Sequence, residues 1–470
     1  MAYSYDIVLK NGCVVDPVNG RNGRYDVAVA GGRIAAVAPD LDPSQAPQSF
    51  DLSGRHVFPG IIDTHVHVSP WIGGRFGHKM LAAAGVTTAL DVAGPIEGVL
   101  DIARDYGVGL NLACIHYVRP GHTVEGEDPG DAELDRLLDS CMKSGALGVK
   151  ILGGHYPLTP EATARTIRLA NRRGAYVAFH AGTLASGSNL TGLLEAVDLI
   201  GGNHAHLAHI NSYCRGQVEP AVEEGEKALA ALQEAPTIYS EAYLATINGT
   251  SAKCSDGVPE SLGTRTCLKL GGFAPTEKGM EEAILAGWAL INLEEGGAVV
   301  LASGPTAAEY WKRNGTDASV SFKVNPPEPR LRLATAKRRD GEFVVDSIST
   351  DGGGIPRNLI IAMGLPLVRL EALTLEEFVV KTSRNPARAL GLADKGHLSE
   401  GADADITVAD LETSSPYMSL SNGQVIMFRG HVCGKGTRMI TTPAGEAHVR
   451  EKGLDVLTVD PAKTPFLRMR

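Results

Sequence analysis

The sequence predicts an α/β fold in which a (β/α)8 barrel, the TIM-barrel architecture, is joined to a small β domain. Eight short apolar runs alternate with helical segments in the interior of the chain, and such runs are typical of buried parallel strands. Turn-rich β segments occur near both chain ends, which predicts that the β domain is built from both. At 470 residues the chain is long enough for both units.

The β domain is predicted to comprise residues 1–58 and 397–450, and to enclose the barrel at residues 59–396. Its first part contains the runs YDIVLKNG, CVVDPVNG, DVAVAGGRIAAVA and SFDLSGRHVFPG. Apolar alternation interrupted by Asn-Gly and Gly-Gly indicates strands joined by tight turns. The same pattern returns in GHLSEGADADITVADLE and QVIMFRGHVCGKGTRMITT. We expect these segments to form one composite β sandwich, followed by a C-terminal tail at residues 451–470.

The barrel strands are predicted from the apolar runs in the interior. In chain order they are GIIDTHVHV, GVTTALDVAG, GLNLACIHYV, GALGVKILGG, AYVAFHAG, HAHLAHINS, PTIYSEAYL and VDSISTDGGG. The segment at about residues 245–340 lies between the last two runs, which predicts an insertion there. Because the insertion leaves the C-terminal end of the seventh strand, it would cover the face of the barrel that carries active sites, as a lid or a substrate platform.

Composition and charge exclude several classes of function. The chain is 43% hydrophobic and 21% charged, and it contains no apolar run of the roughly 20 residues that a membrane helix needs. Its net charge of −10 without a basic run argues against nucleic-acid binding. Seven cysteines without close pairs fit reduced thiols. The N-terminus lacks a signal-peptide pattern, and we expect a cytoplasmic protein that acts on a small molecule.

Polar side chains at the ends of several predicted strands are candidate metal ligands. His65 and His67 are two residues apart, so on a strand their imidazoles point to the same side. The ends of the fourth, fifth, sixth and eighth strands carry Lys150, His180, His209 and Asp351. Because the C-terminal ends of barrel strands meet at one face, these groups are expected to converge on a metal site.

Two of these positions leave alternatives open. The sixth strand carries His204, His206 and His209. We favour His209, which is nearest the strand end, keep His206 as the alternative and expect His204 at the surface or behind the ligands. Lys150 either forms a carbamate with carbon dioxide, whose oxygens bridge two metals, or pairs with Asp351. A buried amine near cations stays neutral and nucleophilic, whereas an ion pair would leave one metal or none.

The pattern Pro-Gly-x-x-Asp-x-His-x-His at Pro59–His67 resembles the opening signature of the amidohydrolase superfamily. GVKILG, AFHAG, AHINS and STDGG resemble its later metal-binding strands. DLSGRHVFPG and GHLSEGADADITVADLE are similar to the flanks of the barrel in the group of hydantoinases, dihydroorotases, isoaspartyl dipeptidases and D-aminoacylases. VDPVNG and HLAHINSYCRG are also similar to the amidohydrolase subunit of formylmethanofuran dehydrogenase. D-aminoacylases use a bridging cysteine near the second strand, and Lys150 departs from that pattern.

The resemblance implies a binuclear metal centre. His65, His67 and Asp351 would bind the more buried ion, His180 and His209 the more exposed one, and carboxylated Lys150 would bridge them. Zinc suits these ligands best, with manganese or cobalt as alternatives. A hydroxide shared by the metals would attack a carbonyl carbon, and Asp351 would carry the proton to the leaving nitrogen.

The implied activity is hydrolysis of a carbon–nitrogen bond other than a peptide bond, in a cyclic amide or imide or in an N-acyl amino acid. Tyr156 in GGHYP is the candidate oxyanion donor, with His155 as its competitor. Tyr117 and Arg119 follow the third strand, where Arg119 would hold a substrate carboxylate, or they belong to an exposed loop.

Two other functions are compatible with the fold. A deaminase of an amino-substituted heterocycle would need one metal, and Lys150 argues against it. A catalytically inactive hydantoinase-like scaffold would have lost metal ligands, whereas all six are present. The resemblance also implies a homo-oligomer, a dimer or a tetramer.

Overall fold

The computed structural model describes residues 3–70, 72 and 74–469. It confirms the predicted fold class, an α/β barrel with a β domain. The N-terminal part of that domain consists of five strands: β1 (Ile7–Asp16), β2 (Arg21–Ala30), β3 (Arg33–Ala38), β4 (Gln48–Asp51) and β5 (His56–Pro59). Gly31 and Gly32 join β2 to β3 with positive φ angles of 56° and 76°, a conformation that favours glycine in a tight hairpin turn.

The barrel begins directly after β5. Its strands are β6 (Ile61–His67), β7 (Val86–Asp91), β8 (Val108–Cys114), β9 (His116–Val118), β10 (Gly148–Leu152), β11 (Tyr176–His180), β12 (Ala205–Leu207) and β13 (Ile238–Tyr243). The helices between them are α1 (Gly74–Ala83), α2 (Ile96–Tyr106), α3 (Asp131–Lys143), α4 (Pro160–Arg172), α5 (Leu190–Ile200) and α6 (Ala221–Gln233). β8 and β9 are successive halves of the third barrel strand, since β8 pairs with β7 and β9 pairs with β10.

The insertion after β13 is a small α/β unit with its own core. It contains β14 (Asn248–Ser251), β15 (Cys254–Ser255), β16 (Val258–Pro259), α7 (Leu262–Leu270), α8 (Glu277–Leu285), β17 (Ala289–Glu295), β18 (Ala298–Ala302), α9 (Gly304–Arg313) and β19 (Ser319–Phe322). β14, β19, β17 and β18 form one antiparallel sheet, and Trp311 is fully buried beneath it. The following helix, α10 (Pro327–Thr335), packs on α6 and β13. It is therefore a barrel helix, and the inserted unit ends before it rather than near residue 340.

The eighth barrel position is formed by β20 (Ser347–Ser349) and β21 (Gly352–Gly353). β20 pairs with β13 and β21 pairs with β6, both in parallel, which closes the barrel. Three helices follow: α11 (Ile360–Arg369), α12 (Leu375–Val379) and α13 (Asn385–Ala389), the last two joined by a π-helical turn at Val380–Arg384.

The C-terminal segment returns to the β domain and then to the barrel. Its elements are β22 (Ile406–Asp410), β23 (Ser415–Ser421), β24 (Gln424–Phe428), β25 (His431–Val432), β26 (Gly436–Thr441), α14 (Glu446–Glu451) and β27 (Asp455–Thr458). β22 pairs with β5, so both chain ends share one continuous nine-stranded sheet in the order β25-β24-β23-β22-β5-β1-β2-β3, with β4 beside β1. The sequence predicts a sandwich at this place. The structure has one continuous sheet, and the strands from the two chain ends bury a common apolar core.

The positions of β26 and β27 in the fold do not follow the domain boundaries predicted above. β26 pairs in parallel with barrel strand β8, and β27 extends that sheet outward. Residues 436–458 thus belong with the barrel, and not with the β domain or a free tail. The amino-acid composition of a strand cannot show whether it pairs with the β domain or with the barrel, because strands of similar composition occur in both sheets. In the described part of the chain, no helix combines the length and the apolar character that crossing a bilayer requires.

Candidate metal centre

A cavity of about 580 Å³ lies at the C-terminal ends of the barrel strands. All of the predicted metal ligands line it: His65, His67, Lys150, His180, His209 and Asp351. The inserted unit supplies part of the opposite wall, through residues that include Asn248, Ser261 and Lys269. The structure therefore brings the strand-end residues together in a space of the size that small-molecule sites occupy.

His65, His67 and Asp351 bring three donor atoms close together. Asp351 Oδ1 lies 2.7 Å from His67 Nε2 and 3.4 Å from His65 Nε2. The three ligand atoms are within 4.8 Å of one another. Two imidazole nitrogens and one carboxylate oxygen at such distances can supply part of the coordination sphere of a divalent cation such as zinc.

Lys150 is buried beside this cluster without a partner. Its side chain is 2% exposed, and Nζ makes no hydrogen bond to any described residue. Burial lowers the pKa of Lys150 to about 8, against the opposing effect of Asp351, Glu241 and Asp91. The ion pair with Asp351, which the sequence left open, is not formed. An orphaned buried amine fits a lysine that is completed by another group.

Asp351 pairs with an arginine instead. Arg357 is 1% exposed, its Nη2 lies 2.7 Å from Asp351 Oδ2, and its Nε donates to the Asp351 carbonyl at 2.5 Å. Burial alone would raise the pKa of Asp351, but Arg357, His67 and Lys150 outweigh it, and the pKa is lowered. The carboxylate is thus ionised, with Oδ1 turned towards the histidines.

His180 and His209 lie together, with ring centroids 4.3 Å apart, and the His209 ring stacks on that of His65 at 4.8 Å. His180 Nε2 is 2.9 Å from Ser188 Oγ, and His209 Nδ1 is 3.3 Å from Tyr213 Oη. Burial lowers the pKa of both histidines well below the ordinary value, and neighbouring cations lower it further. Both rings are therefore neutral, which is the form that binds metals.

Two of the cluster residues have strained backbones. His209 has a φ of 56° and Asp351 a φ of 52°, in the left-handed region that residues with a side chain seldom adopt. Each stands where a barrel strand ends. Such strain is concentrated at functional sites, where the surrounding structure holds a side chain in a required direction.

The other two histidines of the sixth strand lie away from the cavity. His206 is fully buried behind it, with Nδ1 3.0 Å from Tyr176 Oη. His204 Nδ1 is 3.2 Å from the carbonyl of Leu467 at the other end of the strand. Among the three, His209 is the one that lines the cavity, whereas His206 Nε2 lies 3.6 Å from Glu241 Oε1 in a second group of donor atoms that also includes His65.

The candidate substrate residues are divided between the cavity and its surroundings. His155 and Tyr156 line it, and burial lowers the pKa of His155 to about 4, so this ring is neutral. The described residues that line the cavity do not include Tyr117 or Arg119. Arg119 stacks on the ring of Tyr156 at 4.0 Å, and Tyr117 Oη lies 3.2 Å from His122 Nδ1. Arg119 thus reaches the cavity only through Tyr156.

Sequence reasoning missed Glu241, which lies in the middle of β13. It is fully buried; its Oε1 is 2.7 Å from His65 Nδ1, and its other oxygen accepts a hydrogen bond from Ser349 Oγ. Burial raises the pKa of Glu241 well above the ordinary value. A carboxylate within the apolar run PTIYSEAYL was the available signal, because a buried acid needs a specific partner.

The model of the amidohydrolase family matches residues 295–433. Three relatives align over most of their length. Allantoinase of Deinococcus radiodurans is 27% identical, with 87% of each chain covered. N-acyl-D-glutamate deacylase of Alcaligenes xylosoxydans xylosoxydans is 26% identical, over 88% of this chain and 89% of the relative. Dihydroorotase of Pelotomaculum thermopropionicum is 26% identical, over 95% and 99%.

Two solved structures share the fold. N-acyl-D-glutamate deacylase from Bordetella bronchiseptica, complexed with zinc and a phosphonate inhibitor, superposes with a TM-score of 0.63 at 17% identity, over 92% of this chain and 98% of that one. A D-hydantoinase superposes with a TM-score of 0.60 at 17% identity, over 92% and 98%. Both likenesses concern the fold.

Proposed function

We propose that this chain, in which residues 295–433 match the amidohydrolase family and which is similar over most of its length to amide-hydrolysing relatives, is a metal-dependent hydrolase of an amide C–N bond other than a peptide bond. The observation that carries this proposal is the unpaired, buried Lys150 among the converging histidines and Asp351. The relatives named above are an allantoinase, an N-acyl-D-glutamate deacylase and a dihydroorotase. They favour a cyclic amide or an N-acyl amino acid as the substrate class.

The donor set fits two divalent cations. His65, His67 and Asp351 would hold one, and His180 and His209 the other. A carbamate formed from Lys150 and carbon dioxide would add an oxygen to each, because Nζ has no hydrogen-bond partner and its lowered pKa makes the reactive neutral form accessible. Imidazole and carboxylate donors suit zinc. When bound, the ions lower the pKa of water, so that hydroxide is available as a nucleophile at neutral pH.

The protein's own residues would position the substrate and move the proton. Asp351 is ionised and accepts a proton as water adds to the carbonyl carbon, then donates it to the nitrogen as the C–N bond breaks. Arg357 pairs with Oδ2 of Asp351 and so keeps the carboxylate turned with Oδ1 towards the histidines. Tyr156 and His155 are the cavity residues that would donate a hydrogen bond to the carbonyl oxygen, and stacking by Arg119 fixes the Tyr156 ring.

The proposed function is tested by metal analysis together with a substrate screen. We expect close to two equivalents of zinc per chain after loading with zinc and bicarbonate, and hydrolysis of a member of a panel of cyclic amides and N-acyl amino acids. Mass spectrometry identifies the reaction, since ring opening adds one water to a single product and acyl cleavage gives two products. Release of ammonia from an amino-substituted heterocycle with one metal per chain would instead establish a deaminase.

Activation of the metal-free enzyme should depend on pH through Lys150. Carbamate formation requires the neutral amine, and burial lowers the pKa of Lys150 to about 8. Below that pH the neutral fraction falls about tenfold per unit, and above it the fraction levels off. At a constant concentration of dissolved carbon dioxide, the initial rate of zinc-dependent activation should therefore rise from pH 6 to 8 and then level off. A rate that keeps rising to pH 10 would indicate an ordinary, solvated lysine.

Glu241 is expected to strengthen metal binding through His65. Its carboxylate holds His65 with Nδ1 as the donor, so that Nε2 faces the cluster. Glu241→Gln keeps the shape but replaces the carboxyl group that contacts His65 with an amide, and residues in this role change metal affinity by about 10- to 100-fold. Competition with a chromophoric chelator should show zinc affinity weakened by that amount. Glu226→Gln, on the exposed surface of α6, is the matched control; equal affinities for both variants would contradict the assignment.

A further inference from the structure

We propose that the substrate carries a carboxylate group and that Arg215 binds it. The inference rests on the proposed function, because it specifies which amides this cavity accepts. It concerns a residue other than Arg119, which the sequence offered as a candidate carboxylate ligand with an exposed loop as the alternative. Arg215 follows the short 3-10 turn Ile210–Tyr213, which begins directly after His209, and its side chain lines the cavity.

The guanidinium of Arg215 has neutral partners on one edge. Its Nε donates to Asn325 Oδ1 at 2.9 Å. Its Nη2 donates to Ser212 Oγ at 3.2 Å and to Tyr243 Oη at 3.1 Å. No described residue accepts a hydrogen bond from Nη1, and no described carboxylate pairs with this arginine. A half-buried arginine without a counter-ion retains most of its capacity for an incoming anion.

The charges around the cavity favour the same class of ligand. Arg215, Arg265 and Lys269 line it, and Asp351 is the one carboxylate among the described lining residues. Asp351 is already engaged by His67 and Arg357, so it does not neutralise the cations at the wall. A carboxylate on the substrate would supply the missing charge, whereas an uncharged cyclic amide would leave Arg215 unpaired.

Arg215 is held in a fixed orientation by the root of the inserted unit. Asn325, its partner, donates from Nδ2 to the carbonyls of Ala245 and Ile247 at 3.2 and 2.9 Å. These contacts tie the last residues before α10 to the chain that leaves β13. A guanidinium that is ordered before the ligand arrives binds a carboxylate with little further loss of conformational entropy.

The position of Arg215 restricts where the carboxylate lies on the substrate. Ser212 N donates to the carbonyl of His209 at 3.1 Å, and Arg215 Nη2 contacts the same serine. Arg215, His180 and His209 also line the same cavity. The anion-binding and metal-binding groups are thus adjacent. The substrate class is an N-acyl amino acid, or a cyclic amide that bears a carboxylate, with the carboxylate a few bonds from the scissile amide.

The test compares matched ligands that cannot be hydrolysed. The probes are N-methanesulfonyl derivatives of racemic alanine, leucine and glutamate, each paired with its α-carboxamide, and binding to the zinc-loaded enzyme is measured by calorimetry. We expect at least one acid to bind about 10- to 100-fold more tightly than its carboxamide, the range for hydrogen bonds to a charged group. In Arg215→Met this preference should disappear, and Arg215→Lys should restore part of it.

Controls separate this inference from the proposed function. Arg332→Met removes an exposed arginine that pairs with Glu226 outside the cavity, and it should keep the full preference. Zinc content and the circular dichroism spectrum of Arg215→Met should match those of the unmodified protein. Equal binding of every acid and its carboxamide, or a preference that survives in Arg215→Met, would overturn the inference. Hydrolysis of an uncharged amide with no preference for acids would overturn the inference about Arg215 and leave the proposed function intact. Binding of the acids that depends on Arg215, without hydrolysis of any amide, would support the inference and contradict the proposed function.

Discussion

Replacement of Asp351 by asparagine is expected to lower kcat/KM for the hydrolysed amide by about 10³-fold or more, within the range for loss of a general acid–base group together with a metal ligand. The carboxamide cannot take the proton, and its neutral oxygen is a poorer donor to a cation. It also loses the ion pair with Arg357. Steady-state kinetics, zinc content and circular dichroism of the purified variant measure the three consequences separately.

The matched control for this variant is Asp340→Asn, the same change at an exposed loop residue whose carboxylate caps Glu342 N. It should keep kcat/KM within about twofold of the unmodified enzyme, as surface changes usually do. If Asp351→Asn retained full activity with normal zinc content, Asp351 would be neither the base nor a required ligand, and the proposed mechanism would be wrong.

Replacement of Lys150 by alanine is expected to have a similarly large effect through metal loss. Without the amine no carbamate forms, the two cation sites lose their shared ligand, and zinc content should fall from about two equivalents to one or fewer. We expect kcat/KM to fall by about 10²- to 10⁴-fold, because the ions provide both the nucleophile and the polarised carbonyl. Zinc analysis by mass spectrometry and steady-state kinetics measure the two effects.

Chemical rescue distinguishes loss of the carbamate from loss of the fold. Lys150 lines the same cavity as His65, His180 and Asp351, and a small carboxylate such as acetate or propionate has the size and charge to stand in for the carbamate. Added acetate should restore part of both the zinc content and the activity, while Lys143→Ala, at an exposed lysine on α3, should need no rescue. Full activity of Lys150→Ala without any additive would remove this lysine from the proposal.

The strand-end residues were accessible from sequence because their placement follows from local periodicity. His65 and His67 share a side by the two-residue repeat of a strand, and the ends of parallel barrel strands meet at one face whatever the intervening helices are. That logic needs no knowledge of which residues touch. It predicted that Lys150, His180, His209 and Asp351 line the same cavity, as the structure shows.

The partners of those residues were not accessible in the same way. Glu241 lies 176 positions from His65, and Arg215 lies 110 positions from Asn325, so no spacing rule connects them. The return of β26 to the barrel strand β8 is a pairing of the same long-range kind. The sequence also could not show that Asp351 forms its ion pair with Arg357 and not with Lys150.

The periodicity of each strand thus determined which side chains face the barrel centre, and tertiary packing determined which groups each of them contacts there. The physical reason is that periodicity is a property of neighbouring residues in one strand, whereas desolvation, ion pairing and strand register depend on every element that closes around a group. The lysine was visible in GVKILGG, but the absence of a hydrogen-bond partner for its amine, and the lowering of its pKa by burial, depend on the elements that close around it.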